Sequence, residues 1–114
     1  MSSVYVVQIP KRGGYLLDVS PAREFGEILE PCFAGNIDVS KNTEATIEAM
    51  NEYFKDFTEG DFILQAGEHT LFAAACVTAA GYVDSLNILR WDRELVAGKR
   101  NGGRYIKIEI PVYE

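Results

Sequence analysis

One histidine and two cysteines are too few for a structural zinc site, whose four ligands come as closely spaced pairs of Cys and His. Cys32 and Cys76 lie far apart in sequence and in no ligand-like spacing. They read as two buried reduced thiols, with a disulfide as the lesser alternative. Nothing in the chain implies a metal or any other cofactor. No apolar run reaches the ~18 residues that a membrane span needs, and Met1-Ser2-Ser3 lacks the basic flank and apolar stretch of a secretory signal, so the expected location is the cytoplasm. Basic charge is scarce as well. Eleven Lys and Arg against seventeen Asp and Glu leave a net charge of −6, which argues against general affinity for phosphate backbones. At 114 residues the chain is long enough for one domain with its own core.

What is present is densest between residues 61 and 92. Phe62-Ile63-Leu64-Gln65-Ala66 is a short apolar run ended by Gly67; residues 71–80 form an almost wholly apolar helical stretch; Leu86-Asn87-Ile88-Leu89-Arg90-Trp91 supplies a second strand. Two strands joined by a helix of this length run parallel, and parallel strands need cover, so the unit predicts an α/β architecture.

The remaining segments extend that unit. Val4-Tyr5-Val6-Val7-Gln8-Ile9 reads as a strand near an edge, because Pro10 follows it. Lys11-Arg12-Gly13-Gly14 reads as a loop. A capping Ser20, Pro21 at the first helical position and Gly26 at the end frame a single helical turn. Residues 27–33 follow as a strand weakened by Pro31. Ile47, Met50, Tyr53, Phe54 and Phe57 then recur at three and four residues, the stripe of an amphipathic helix. Its other face gathers Glu44, Glu48, Glu52 and Asp56. The helix at 71–80 has no charged face and should be buried on more than one side, either by the first helix and an N-terminal loop or by a second subunit in a homodimer. Tyr105, Lys107 and Glu109 alternate with Ile106, Ile108 and Ile110, the period of a strand with one wet face. The connection at 94–103 exceeds usual hairpin length and reads as mobile. The expected fold is a single-domain α/β sandwich of two or three layers over residues 1–114. It has a mixed sheet of about five strands, a central βαβαβ unit and an antiparallel C-terminal hairpin.

Gly67-Glu68-His69-Thr70 lies where a parallel strand ends and a helix begins, a position at which α/β folds bind ligands and anions. That makes His69 the catalytic candidate. Against this, the turn has one glycine rather than a spaced set, no P-loop lysine follows, and Glu68 is well explained as a partner of the helix dipole. Neither cysteine has an acid–base neighbour in sequence, so no hydrolytic dyad is indicated and no catalytic residue is assigned. Charge is uneven: residues 42–68 hold seven acids and one base, whereas residues 86–110 hold six bases and three acids. Arg90, Trp91, Arg93, Lys99, Arg100 and Tyr105 form the candidate binding set, a basic and partly aromatic surface suited to an acidic protein or to single-stranded nucleic acid. The competing reading packs Trp91 in the core and pairs Arg90 with an acid across the sheet.

Asp61 to Gly67, the small-residue helix, and Leu89-Arg90-Trp91-Asp92-Arg93 followed by Arg104-Tyr105 together resemble a family of small proteins encoded by tailed bacteriophages. The resemblance extends to Asp18-Val19-Ser20-Pro21-Ala22, Phe25-Gly26-Glu27 and Ile37-Asp38-Val39. Such proteins have Gly-Asp-Pro where this chain has Gly67-Glu68-His69, and a shorter loop before Tyr105. The resemblance implies phage origin and residence in the host cytoplasm, and no reaction. The expected function is a non-enzymatic accessory module that binds a host or phage protein, with a homodimer possible and no membrane contact. Binding of single-stranded nucleic acid is the alternative; a small nucleotide binder or enzyme at Gly67-Glu68-His69-Thr70 is the third reading.

Overall fold

Side-chain alternation along the first strand sets the layers. β1 (Ser3–Val6) sends Val4 and Val6 to one face of a sheet, and Tyr5 to the other, where Val7 joins it just beyond the strand. The computed structural model describes residues 2–9, 11–12, 15–16, 18–35, 37–92 and 103–113. After β1 come a small ladder of β2 (Lys11–Arg12) and β3 (Tyr15–Leu16), a 3-10 helix (Ser20–Glu24) and β4 (Glu27–Ile28). Then follow α1 (Thr43–Tyr53), β5 (Phe62–Leu64), α2 (His69–Ala80), β6 (Ser85–Asp92) and β7 (Arg104–Pro111).

The main sheet has the order β4-β1-β5-β6-β7. Its first four strands are parallel, and β7 closes it antiparallel to β6 over eight residue pairs. This is the predicted α/β fold with a mixed five-stranded sheet and a C-terminal hairpin. The β4-α1-β5-α2-β6 path is the expected βαβαβ unit, with one addition: α1 must cross over β1, which lies between β4 and β5. β1 is therefore an interior strand and not an edge strand. Its pairing with β5 runs from Val4 to Val6, and Pro10 itself lies outside the described residues.

Both helices lie on the Tyr5 face. Met50 of α1, Phe54 and Phe57 just after it, and Leu71, Ala75 and Ala79 of α2 pack there against Tyr5, Ile63, Leu86 and Ile88. The rings of Tyr5, Tyr53, Phe54 and Phe57 interlock at centroid separations of 5.0 to 5.7 Å. Burial of each large apolar side chain contributes about 1.5–3 kcal/mol. Among the described residues the opposite face is covered by the 3-10 segment, whose Val19 and Ala22 sit with Phe25 over Val4, Val6, Leu64 and Leu89.

Three local expectations change. Ser20 does not cap the 3-10 helix; Val19 occupies the cap position without a side-chain bond, and Asp18 Oδ1 instead accepts from the Ser20 N–H at 3.0 Å. Lys11-Arg12 is a strand rather than a loop, pairing with Tyr15-Leu16 as a Gly-Gly pair between two short runs permits. Within the chain α2 is buried along one stripe rather than on several sides, and Val77 on its outer side is 77% exposed. The connection at 94–103 lies outside the described residues except for Gly103.

Residues 27–33 pair with β1 beyond the two residues of β4, through a bulge. The N–H groups of Leu29, Cys32 and Phe33 donate to the carbonyls of Val4, Val6 and Val7. One extra residue enters this ladder beside Pro31, which has no N–H to give. The Tyr53 hydroxyl fills the gap: it accepts from the Val6 N–H at 2.9 Å and donates to the Glu30 carbonyl at 2.7 Å. Burial pushes its ionisation well above the ordinary tyrosine range, which keeps the hydroxyl proton in place for that second bond.

Candidate functional site

The chain leaves β1 toward β4 along the 3-10 face and leaves β5 toward β6 along the helical face. Between the carboxyl ends of β1 and β5 lies the kind of crevice in which open α/β sheets bind ligands. Here it is filled by Gln8, which is buried immediately after β1. Gln8 Oε1 accepts from the Glu68 N–H at 3.0 Å, and its Nε2 donates to the Gly35 carbonyl, so one amide ties together three loops. Gly67 has φ +91°, and a Cβ there would come within 2.7 Å of Gln8 Oε1. Its glycine is required by both backbone angle and close approach.

The start of α2 is closed in a similar way. The Glu68 carboxylate folds back to accept from the N–H groups of Thr70 and Leu71, each at 3.0 Å. These bonds hold the Glu68 carboxyl below the ordinary glutamate range. The N–H groups that would receive a phosphate are thus engaged by the chain's own anion. His69, the first residue of the helix, is exposed.

The open space lies one strand over. Gln65, Ala66 and Gly67 from the end of β5, His69 and Phe72 from α2, and Arg90 and Trp91 from the end of β6 border a cavity of about 550 Å³. Arg90 and Trp91 leave β6 on opposite faces, and both reach the cavity because it straddles the strand end. Trp91 is 39% exposed. Its ring stands edge-on to Tyr105 at 5.0 Å, and a Cβ at Gly103 would collide with the indole. The tryptophan is propped by Tyr105 and Gly103 and stays part-exposed. Tyr105 is buried under it, and so acts as a support and not as part of the accessible surface. Among the described residues no carboxylate forms an ion pair with Arg90. Arg93, Lys99 and Arg100, the other members of the candidate set, lie outside the described residues.

A family model described as Phage Pam3 gp32-like protein matches residues 2–111. The chain belongs to this phage protein family. No curated protein and no solved structure matches it. Family membership carries no activity, so chemistry in this phage protein rests on its own side chains.

Burial pushes the thiols of Cys32 and Cys76 up to about 11, the opposite of what a nucleophilic cysteine requires. Cys32 Sγ lies 3.9 Å from the Ala49 carbonyl, and Cys76 faces the helical core, both as free thiols. The polar residues that are well held lie at the other end of the sheet. Asp61, buried at the start of β5, accepts from the Ser3 N–H at 2.9 Å, the Thr58 N–H at 2.9 Å and the Thr58 hydroxyl at 3.1 Å. Asn87 Nδ2 donates to the carbonyls of Glu59 and Asp61, and the Glu59 carboxylate accepts from the N–H groups of Asp84 and Ser85. Sequence reading missed Gln8, Tyr53 and this cluster. Gln8 alone carried a signal, as a polar residue that ends an otherwise apolar run.

Among the described residues no helix is long and apolar enough to cross a membrane.

Proposed function

We propose that this phage protein is a non-enzymatic accessory module that binds a host or phage protein at the carboxyl end of its sheet, in the host cytoplasm. Trp91 serves as the anchor and Arg90 pairs with an acidic side chain of the partner. The observation that carries this reading is the propped, part-exposed indole beside an arginine that has no acidic partner among the described residues. A rigid aromatic loses little freedom on contact, and Trp with Arg are the residue types that most often dominate binding energy. The self-capped α2 and the Gln8-filled crevice speak against a phosphate-bearing ligand at Gly67-Glu68-His69-Thr70. The raised thiols speak against covalent catalysis.

The test is affinity capture from nuclease-treated host lysate and from infected-cell lysate, in parallel for the wild type, Arg90→Glu and Trp91→Ala. A stoichiometric protein retained by the wild type and lost from both variants supports the reading. Equal retention by all three refutes it. Salt-sensitive binding of a single-stranded oligonucleotide, in place of a protein, would transfer the site to nucleic acid.

A further inference from the structure

β7 is the last strand of the sheet, with no partner strand on its outer side among the described residues, and the order of residues 106–110 is self-complementary. The direction of its main-chain groups follows from two hydrogen bonds. The Val112 N–H donates to Asp84 at 2.8 Å, and the Leu89 carbonyl accepts from Gln65 on the β5 side at 2.9 Å. Even-numbered residues of β7 therefore direct their N–H and C=O groups at β6, and Tyr105, Lys107, Glu109 and Pro111 direct theirs outward. Pro111 falls where its missing N–H breaks no bond within the sheet. An edge of this length is ordinarily blunted by bulges, prolines or charged side chains, lysine above all. β7 has an unbroken register with β6, a proline only at its last position, and on its exposed face one lysine and one glutamate, opposite charges that a second copy can pair.

Its two faces differ. Ile106, Ile108 and Ile110 lie on the helical face, none of them joins either core cluster, and Ile110 is 45% exposed. Lys107 and Glu109 lie exposed on the other face. If a second β7 adds antiparallel about a two-fold axis, outward residues must meet outward residues, so the allowed registers move in steps of two. Centring on Lys107 sets lysine against lysine, and centring on Glu109 sets glutamate against glutamate, both destabilising when directly opposed. Centring on Ile108 sets each Lys107 against Glu109 of the second copy and stacks Ile106 on Ile110. Roughly four main-chain hydrogen bonds would form between these exposed Lys107 and Glu109 positions.

We propose that the chain forms a two-fold homodimer by antiparallel pairing of β7 with β7 of a second copy, centred on Ile108, which makes one continuous sheet from two. The proposal is independent of the site at Arg90 and Trp91.

The test is the molar mass of the purified full chain by sedimentation equilibrium, with circular dichroism to confirm the fold of each variant. The wild type is expected as a dimer. Lys107→Glu and Glu109→Lys each set like charges opposite one another twice, and each should weaken the dimer roughly tenfold or more. The double variant Lys107→Glu/Glu109→Lys restores both pairs and should regain the dimer. An equimolar mixture of the two single variants should form a one-to-one heterodimer. A monomeric wild type would overturn the proposal, and so would a dimer whose mass is indifferent to both single reversals, since it would then form through another surface.

Discussion

The two ends of the parallel sheet are built from similar residue types and do opposite things. At the amino end, the Asp61 and Glu59 carboxylates and the Asn87 amide N–H are engaged by backbone groups, apart from one bond from the Thr58 hydroxyl to Asp61, and these bonds join β1, β5, β6 and the turn before β5. At the carboxyl end, Gln8 and Glu68 close the crevice and the helix start, but Arg90, His69 and Trp91 remain turned to the cavity. Polar groups consumed by the backbone stabilise; Arg90 has no ion-pair partner among the described residues, which is why the proposed recognition is assigned to that end. The difference teaches that the abundance of charge in this chain says less than whether each charge is already used.

Substitutions can break that contrast, in decreasing order of effect. Asp61→Ala should be the most damaging, because two N–H groups and a hydroxyl lose a charged acceptor; about 3 kcal/mol of unfolding free energy is expected to disappear in urea denaturation. Gly67→Ala should cost about 1–2 kcal/mol from the positive φ alone, with the crowding of Gln8 in addition. It would also disturb the cavity floor, so both the urea midpoint and partner capture should fall. Tyr53→Phe removes the hydroxyl that bridges Val6 and Glu30 and should cost about 1–2 kcal/mol with little change in the core packing of the ring.

Glu68→Gln acts through pH. The folded carboxyl titrates below the ordinary glutamate range, so its ionised form favours the folded state. Its contribution is complete above that range and fades as pH falls through the lowered value. Thermal melts of the wild type should show this acid-side loss, and the glutamine variant should lack that component of the slope. Arg90→Glu should have the smallest effect on stability, within about 0.5 kcal/mol, because no ion pair among the described residues is broken.

How much was legible in the sequence follows the range of the interactions. The β5-α2-β6 unit was readable because period, length and the glycine turn all lie within residues 61–92, and its strands fall where the apolar runs end. The alternation of residues 105–110 likewise announced β7. The interior position of β1 was not legible, because sheet order depends on which distant strands pair, and Pro10 suggested an edge for a purely local reason. Tyr53 looked like one more apolar position of α1, and its hydroxyl role exists only once the Pro31 bulge meets β1. At the candidate site, Arg90 and Trp91 adjoin one cavity, whereas Tyr105, opposite Trp91 in the β6–β7 register, is buried.

The central proposal is that this phage protein binds its partner through Arg90 and Trp91 at the carboxyl end of the sheet, and that Arg90 adds little to the stability of the fold. The most direct measurement is partner retention by Arg90→Glu in affinity capture, with the urea midpoint of the same preparation. A lost partner at an unchanged midpoint is the predicted result. A retained partner, or a midpoint that falls as far as that of Asp61→Ala, would contradict it.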